Sequence, residues 1–157
     1  MKKMIVMVVV LLVFSISNAM AAPLNDLATE QTAVGVSNDA IYIENKIADR
    51  ITVGIQDIDL SRDDSIDFYG QYQFENNFRG IIGYRDTLYA GVGYVKELDN
   101  KWDGHAYVIF SDEFAEAQVG GTYRINHELD ANVYYRFIMQ DHGSDHGRLG
   151  VGLTFKF

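Results

Sequence analysis

Residues 148–157 read RLGVGLTFKF, and this stretch decides the fold. From Leu149 to Phe157 every second residue is apolar, while Gly, Thr and Lys occupy the positions between them. A period of two places the apolar side chains on one face of a β-strand, because successive side chains point to opposite faces. The stretch therefore predicts a strand with one apolar face and one polar face.

The same alternation recurs along the chain and predicts an all-β fold. Ten strand-like segments follow one another between residues 32 and 157, and none has the 3.6-residue period of a helix. Most are about 8–11 residues long, which suits a strand that crosses a bilayer at a tilt. Tight polar turns near residues 47, 77, 99 and 127 alternate with the other connections. We predict a closed antiparallel up-and-down barrel.

The tight turns also predict the number of strands. An even-stranded barrel with both ends on one side has one fewer such turn than half its strands, so four turns predict ten strands. Two predicted hairpins, at Asn38-Asp39 and at Asp86, lack the glycine that favours a two-residue turn. Merging across both would give eight strands, with one running from Arg79 to Glu97. That is longer than a bilayer requires, so ten is preferred and eight is the alternative.

Three residue types indicate that the apolar face points outward. Seven of the eight Phe residues after position 21 lie on the apolar face, and a phenyl ring suits hydrocarbon better than headgroups or water. Six of the seven Arg residues lie on the polar face beside carboxylates, where opposite charges in a narrow interior can pair. Eight Gly residues share that face and leave room for large Arg and Tyr side chains. We therefore predict a transmembrane barrel.

The polar face then predicts a charge-lined lumen. A ten-stranded barrel lies just above the size that side chains fill completely, and Arg and Tyr are large, so we expect the lumen to be largely plugged. The alternative is a narrow pore that passes ions or small solutes. The predicted lumen-lining charged residues are Glu44, Arg50, Asp67, Glu75, Arg79, Arg85, Glu97, Asp103, Glu116, Arg124, Arg136 and Arg148.

Residues 1–21 have the features of a cleaved signal peptide. Lys2 and Lys3 precede an apolar run, and Ala19-Met20-Ala21 is typical of a cleavage site. We expect a cut before residue 22, a periplasmic lead-in over residues 22–31 and the barrel over residues 32–157. The chain after residue 21 holds 11 basic and 22 acidic residues, so no nucleic-acid partner is expected. Cysteine is absent, so the barrel has no disulfides.

The segment GVGLTFKF resembles the C-terminal signal of bacterial outer-membrane β-barrel proteins, and the chain resembles their small porin-like members. Gly152, Phe155 and Phe157 match that signal, whereas its leading polar position falls on Gly150. The resemblance implies that the barrel-assembly machinery recognises this strand in a Gram-negative-type envelope. It also implies that the tight turns face the periplasm, and that the protein meets outer-membrane lipid and lipopolysaccharide.

The sequence DHGSDHG, residues 141–147, is the clearest candidate for chemistry. Asp141, His142, Asp145 and His146 are weak candidates for a divalent metal site, and Ser144 is a candidate nucleophile beside a histidine base. Adjacent residues of a loop usually point in different directions, so a solvated hairpin loop is the preferred interpretation. We expect no catalytic residue, no bound metal, no cofactor and no enzyme activity.

These features predict an integral outer-membrane barrel with a structural or passive role and, at most, a narrow channel. Three alternatives remain open. The first is an outer-membrane enzyme with a rim site at residues 141–147. The second is a surface adhesin or receptor, for which the short loops offer little surface. The third is a soluble secreted barrel that binds an apolar ligand inside.

Overall fold

The structure, a computed structural model, describes residues 24–38, 40–59, 64–140 and 145–157. A 3₁₀ turn at Glu75–Asn77 joins β4 to β5. No helix in the described part of the chain is long and apolar enough to cross a membrane. The strands are β1 Thr32–Ser37, β2 Ala40–Ala48, β3 Ile51–Asp59, β4 Asp64–Gln73, β5 Phe78–Arg85, β6 Thr87–Glu97, β7 Trp102–Phe110, β8 Phe114–Arg124, β9 Leu129–Gln140 and β10 His146–Lys156.

The ten strands form one closed barrel in which each strand pairs antiparallel with its neighbours in sequence. β1 and β10 close the ring, with Val34 opposite Phe155 in the register. At this seam the backbones of Thr32 and Phe157 exchange two hydrogen bonds of 2.8 and 2.9 Å. Closure leaves no unpaired sheet edge. The predicted closed up-and-down barrel of ten strands is confirmed, and the eight-stranded alternative is wrong.

The connections define two ends of the barrel. The turn end carries the four predicted tight turns, and β1 begins and β10 finishes there. The loop end carries the other five connections. Asn76, Asn77 and Asp86 adopt positive φ angles of 67°, 69° and 56°, a region that Asn and Asp tolerate better than other non-glycine residues. The single residue Asp86 therefore turns the chain between β5 and β6 without a glycine.

The wall of the barrel is apolar outside and polar inside. Large apolar side chains on the outer face are exposed, with Leu88 at 65% and Phe110 at 57%. Charged side chains on the inner face are buried, with Arg136 at 1% exposed and Glu116 at 2%. A water-soluble domain has the opposite distribution, because it buries apolar groups and leaves charges in water. The predicted outward orientation of the apolar face is confirmed.

Inward-facing tyrosines fit against glycines of the neighbouring strand. In each pair the two residues lie opposite each other in the register, and the ring occupies the space that a Cβ on the glycine would need. Glycine therefore lets large rings lie close against the wall of a small barrel. The pairs are Gly35 with Tyr42, Gly54 with Tyr69, Gly83 with Tyr89 and Gly150 with Tyr134.

Candidate functional site: the charged barrel interior

Four charged residues near the loop end form a network across the lumen, called here the loop-end network. Arg85 donates from Nη2 to Asp67 Oδ2 at 2.9 Å and from Nη1 to Glu116 Oε2 at 2.8 Å. Arg136 donates from Nε to the other oxygen of Glu116, Oε1, at 2.7 Å. All four side chains are at most 5% exposed. Two cations and two carboxylates give the network no net charge.

Neutral groups donate further hydrogen bonds to the two carboxylates. The hydroxyl of Tyr89 donates to Asp67 Oδ1 at 2.7 Å, and Gln56 Nε2 donates to Oδ2 at 2.7 Å. The hydroxyl of Tyr107 donates to Glu116 Oε1 at 2.5 Å. These hydrogen bonds offset part of the cost of burying the carboxylates, because buried ions have lost their hydration. The tyrosines therefore belong to the network as much as the charges do.

A second cluster lies at the turn end, where residues 24–27 reach into the lumen. Glu44 Oε2 accepts a hydrogen bond of 2.7 Å from Asn25 Nδ2. Arg79 Nη1 donates to the carbonyl oxygen of Asn25 at 2.6 Å, and Lys46 Nζ donates to that of Leu27 at 2.8 Å. Leu24, Asn25 and Leu27 are buried. The segment expected as a lead-in thus fills part of the barrel interior.

Little space separates the two clusters. A cavity of about 30 Å³ lies between them, bounded by Leu24 on the turn side and by Asp67 and Arg85 on the loop side. A water molecule needs roughly 10–15 Å³ of this kind of volume, so the cavity has room for about two or three waters. At this point of the described interior, space for only a few waters therefore separates the two clusters.

Further pairs link the wall near the turn end. Arg124 makes a fork to both oxygens of Asp103, with Nη2 to Oδ1 at 2.6 Å and Nε to Oδ2 at 3.1 Å. Lys156 Nζ lies 2.6 Å from Asp130 Oδ2, which connects β10 to β9. The hydroxyls of Tyr42 and Thr154 lie 2.5 Å apart across the seam strand β1. The last of these contacts joins β2 to β10, two strands that only the closure of the barrel brings together.

Most predicted lumen-lining residues lie inside, but the turn residues do not. Arg50 and Glu75 are exposed in two turns, 3.6 Å apart, because β2 ends at Ala48 and β4 ends at Gln73, before the alternation reaches them. Glu97 ends β6 at the rim, exposed and 3.5 Å from Arg124. Assigning these three carboxylate and guanidinium groups to the lumen was therefore wrong. The predicted residues found buried in the lumen are Glu44, Asp67, Arg79, Arg85, Asp103, Glu116 and Arg136.

Two predicted positions lie between these extremes. Arg124 is half-buried beside Asp103 at the turn end. Arg148 is partly buried in β10, opposite Arg136 in the register. Neither is open to solvent in the way that Arg50 is.

The residues of the predicted assembly signal lie in and just after β10. Phe155 and Phe157 point outward and are 47% and 73% exposed, while Gly152 lies opposite Asn132 of β9. The exposed rings leave the signal accessible at the turn end. Recognition by an assembly machinery stays a prediction.

The loop DHGSDHG is only partly described. Asp141, His142 and Ser144 lie outside the described residues, Asp145 is exposed, and His146 begins β10. Among the residues that the structure does describe, no group of three or more His, Asp or Glu side chains is arranged to hold a metal ion. The weak metal assignment stays a prediction.

Several polar groups of the interior were missed in the sequence. Lys46 lies beside the turn predicted near residue 47, yet β2 continues past it, and the spacing of Lys46 from Tyr42 and Glu44 was the available signal. Gln56 and Gln71 continue the inward alternation of β3 and β4, so their pattern also contained the information. Asn25 gave no signal, because residues 24–27 have no strand or helix period.

Comparisons with known proteins name no relative. No family model matches the chain, and no curated protein matches it. One solved structure that does match is described as "De novo design of transmembrane beta-barrels". It is 14% identical, with 85% of this chain and 100% of that chain covered and a TM-score of 0.43.

Proposed function

We propose that the protein is an integral outer-membrane β-barrel with a structural or passive role. The observation that carries the proposal is the inverted wall, with large apolar side chains outside and ion pairs inside. Soluble monomers rarely expose a contiguous apolar patch of more than a few hundred Å². In a bilayer the same side chains contact acyl chains, and barrel closure satisfies every backbone group.

Aromatic rings at both ends support insertion. At the turn end, outward rings pack in cross-strand pairs, with centroid distances of 5.0 Å for Phe78–Tyr94 and 5.0 Å for Trp102–Tyr123. Aromatic girdles of this kind flank the apolar band of membrane barrels, because the rings suit the headgroup region. The exposed outward rings toward the loop end are Phe68, Tyr84, Phe110 and Phe137.

The packed interior supports a passive role with little or no conductance. The loop-end network crosses the lumen near one end, and residues 24–27 lie in the lumen near the other end. In this proposal the barrel has no enzyme activity and passes ions or small solutes at most slowly. Its partners are outer-membrane lipid, lipopolysaccharide and the assembly machinery, which it reaches after export by a cleaved signal peptide.

The test uses the chain starting at residue 22, refolded into detergent and then into a planar bilayer. We expect purification to require detergent, and the folded band on a gel to shift on boiling, as it does for membrane barrels. A chain that stays folded and monomeric in buffer without detergent would overturn membrane insertion and favour the soluble barrel. A steady channel current in the bilayer would keep insertion but overturn the plugged lumen.

A further inference from the structure

Residues 24–27 lie in the lumen but belong to no strand. We propose that the turn-end half of the lumen is a binding site for an extended peptide, and that its ligand is the chain's own segment 24–27. In this view the ten-stranded wall is the receptor, and the segment is a tethered ligand that exchanges between a bound and a free state. This goes beyond the barrel function by giving the lumen a specific occupant.

The segment enters at the turn end and runs inward. Thr29 donates to Asp49, in the turn after β2, at 2.8 Å. Going back along the chain, the Leu27 carbonyl meets Lys46 and the Asn25 amide meets Glu44. Asp49 follows β2 at the turn end, and Lys46 and Glu44 lie progressively deeper in the barrel along β2. The chain is therefore extended along the barrel wall, as a peptide ligand in a groove would be.

The wall recognises the peptide in two ways. Arg79 and Lys46 bind main-chain carbonyl oxygens, which any sequence offers. Glu44 binds the Asn25 side chain, and its carboxylate makes this the charge-assisted contact. Gly93 forms a pocket for Leu24, because a Cβ on the glycine would lie 2.5 Å from Leu24 Cδ1. The two carbonyl contacts hold any peptide backbone, and the contacts to Leu24 and Asn25 make the site selective for this sequence.

The wall does not need the segment for its own pairing. Each of the ten strands pairs with its two neighbours in the ring. Going along the described chain from Leu24, the first backbone–backbone hydrogen bond to a strand is the one from Glu30 N to Lys46 O, at 2.8 Å. Residues 24–27 are held by side-chain contacts instead. Strand closure and segment binding are therefore separate sets of interactions.

The wall groups also keep partners when the segment leaves. Glu44 retains the Tyr69 hydroxyl at 2.8 Å and Gln71 Nε2 at 3.1 Å. Arg79 retains Gln71 Oε1 at 3.1 Å. A recess of about 120 Å³, lined in part by exposed Asp26, lies beside the segment and gives water access to the site. The emptied site is thus a polar, hydrated groove, which permits exchange.

The experiment uses the full chain after residue 21, which has no native cysteine. Leu24→Cys and Leu27→Cys each place a thiol in the bound segment, and Ala28→Cys places one on an exposed neighbour as the matched control. Reaction with a water-soluble maleimide is followed in detergent micelles, so bilayer insertion is not required. If the segment is bound, the buried thiols react at least about tenfold more slowly than the control thiol.

Exchange is then tested by competition with a synthetic peptide, LNDLATEQ, which copies residues 24–31. A tethered ligand has an effective concentration in the millimolar range, so the peptide is used at several millimolar. We expect it to raise the labelling rate of the two buried thiols about twofold or more, and not that of Ala28→Cys. A peptide with Asn25→Ala should have little effect, because it lacks the group that Glu44 binds.

Three results would overturn the proposal. If both Leu24→Cys and Leu27→Cys react as fast as Ala28→Cys, the segment is not bound. If they are protected but the peptide changes nothing, the segment is a fixed part of the fold. If the Asn25→Ala peptide competes equally well, the site has no selectivity for this ligand. None of these outcomes depends on whether the barrel inserts into a membrane.

Discussion

The outer wall and the lumen are built from alternate residues of the same strands, and they differ in how specific their contacts are. On β8, Glu116 and Gln118 point inward and are buried, while Val119 points outward and is 58% exposed. Under the proposed membrane insertion, the outer side chains need only be apolar, because lipid offers no directional partner. The inner side chains need particular partners at hydrogen-bond distance, because a buried charge without one is costly. The outer wall therefore accounts for the proposed place of the protein in a membrane. The contacts in the lumen account for the stability of the closed barrel.

The largest effect is expected where a buried charge loses its partner. Glu116→Gln keeps the side-chain shape but removes the carboxylate that Arg85 and Arg136 share. We expect the free energy of unfolding to fall by about 3–5 kcal/mol, because two guanidinium groups lose a buried counter-charge. Urea unfolding in lipid vesicles measures this change.

The control for that variant is Glu97→Gln, on an exposed carboxylate 3.5 Å from Arg124. Removing an exposed pair should cost less than about 1 kcal/mol. Equal effects of the two variants would mean that the loop-end network is not a buried structure.

A somewhat smaller effect is expected from a charge placed on the outer wall. Val92 lies in the middle of β6 and is 53% exposed. If it faces lipid, Val92→Arg should lower the free energy of unfolding in vesicles by about 2–4 kcal/mol. Leu98→Arg, in the turn after β6, should cost about 1 kcal/mol or less, because an interfacial arginine stays hydrated. An unchanged free energy of unfolding for Val92→Arg would indicate that water, not lipid, covers the wall.

The smallest effect concerns the fit of tyrosine against glycine. In Gly35→Ala the new methyl would collide with the Tyr42 ring, which hydrogen bonds hold to Thr154 and Asn25. We expect a loss of about 1–3 kcal/mol from overpacking. Gly70→Ala is the matched control, since no atom lies within 4 Å of its Cβ position. There the free energy of unfolding should stay unchanged or rise by up to about 1 kcal/mol.

The wall could be predicted from the sequence because its signal is local. Alternation along each segment gave the strands and their outward faces, and the four tight turns gave the strand number. Arg50 and Glu75 were misassigned because alternation does not mark where a strand ends and a turn begins.

The contacts of the lumen could not be predicted in the same way. Arg85 and Glu116 lie on β5 and β8 and meet across the interior, so no spacing in the sequence pairs them. The binding of residues 24–27 was missed for a related reason. Its partners Glu44 and Arg79 are 19 and 54 positions from Asn25. An irregular segment also has no period that would indicate a buried face.

The central claim, that lipid covers the apolar wall, is tested most directly by Trp102, the only tryptophan in the chain. Its ring is outward at the turn end, 39% exposed and packed against Tyr123. In vesicles, phospholipids brominated near the headgroup should quench its fluorescence strongly, while aqueous acrylamide should quench it weakly. The account would be contradicted if brominated lipid did not quench Trp102 fluorescence and acrylamide quenched it as strongly as it quenches free indole.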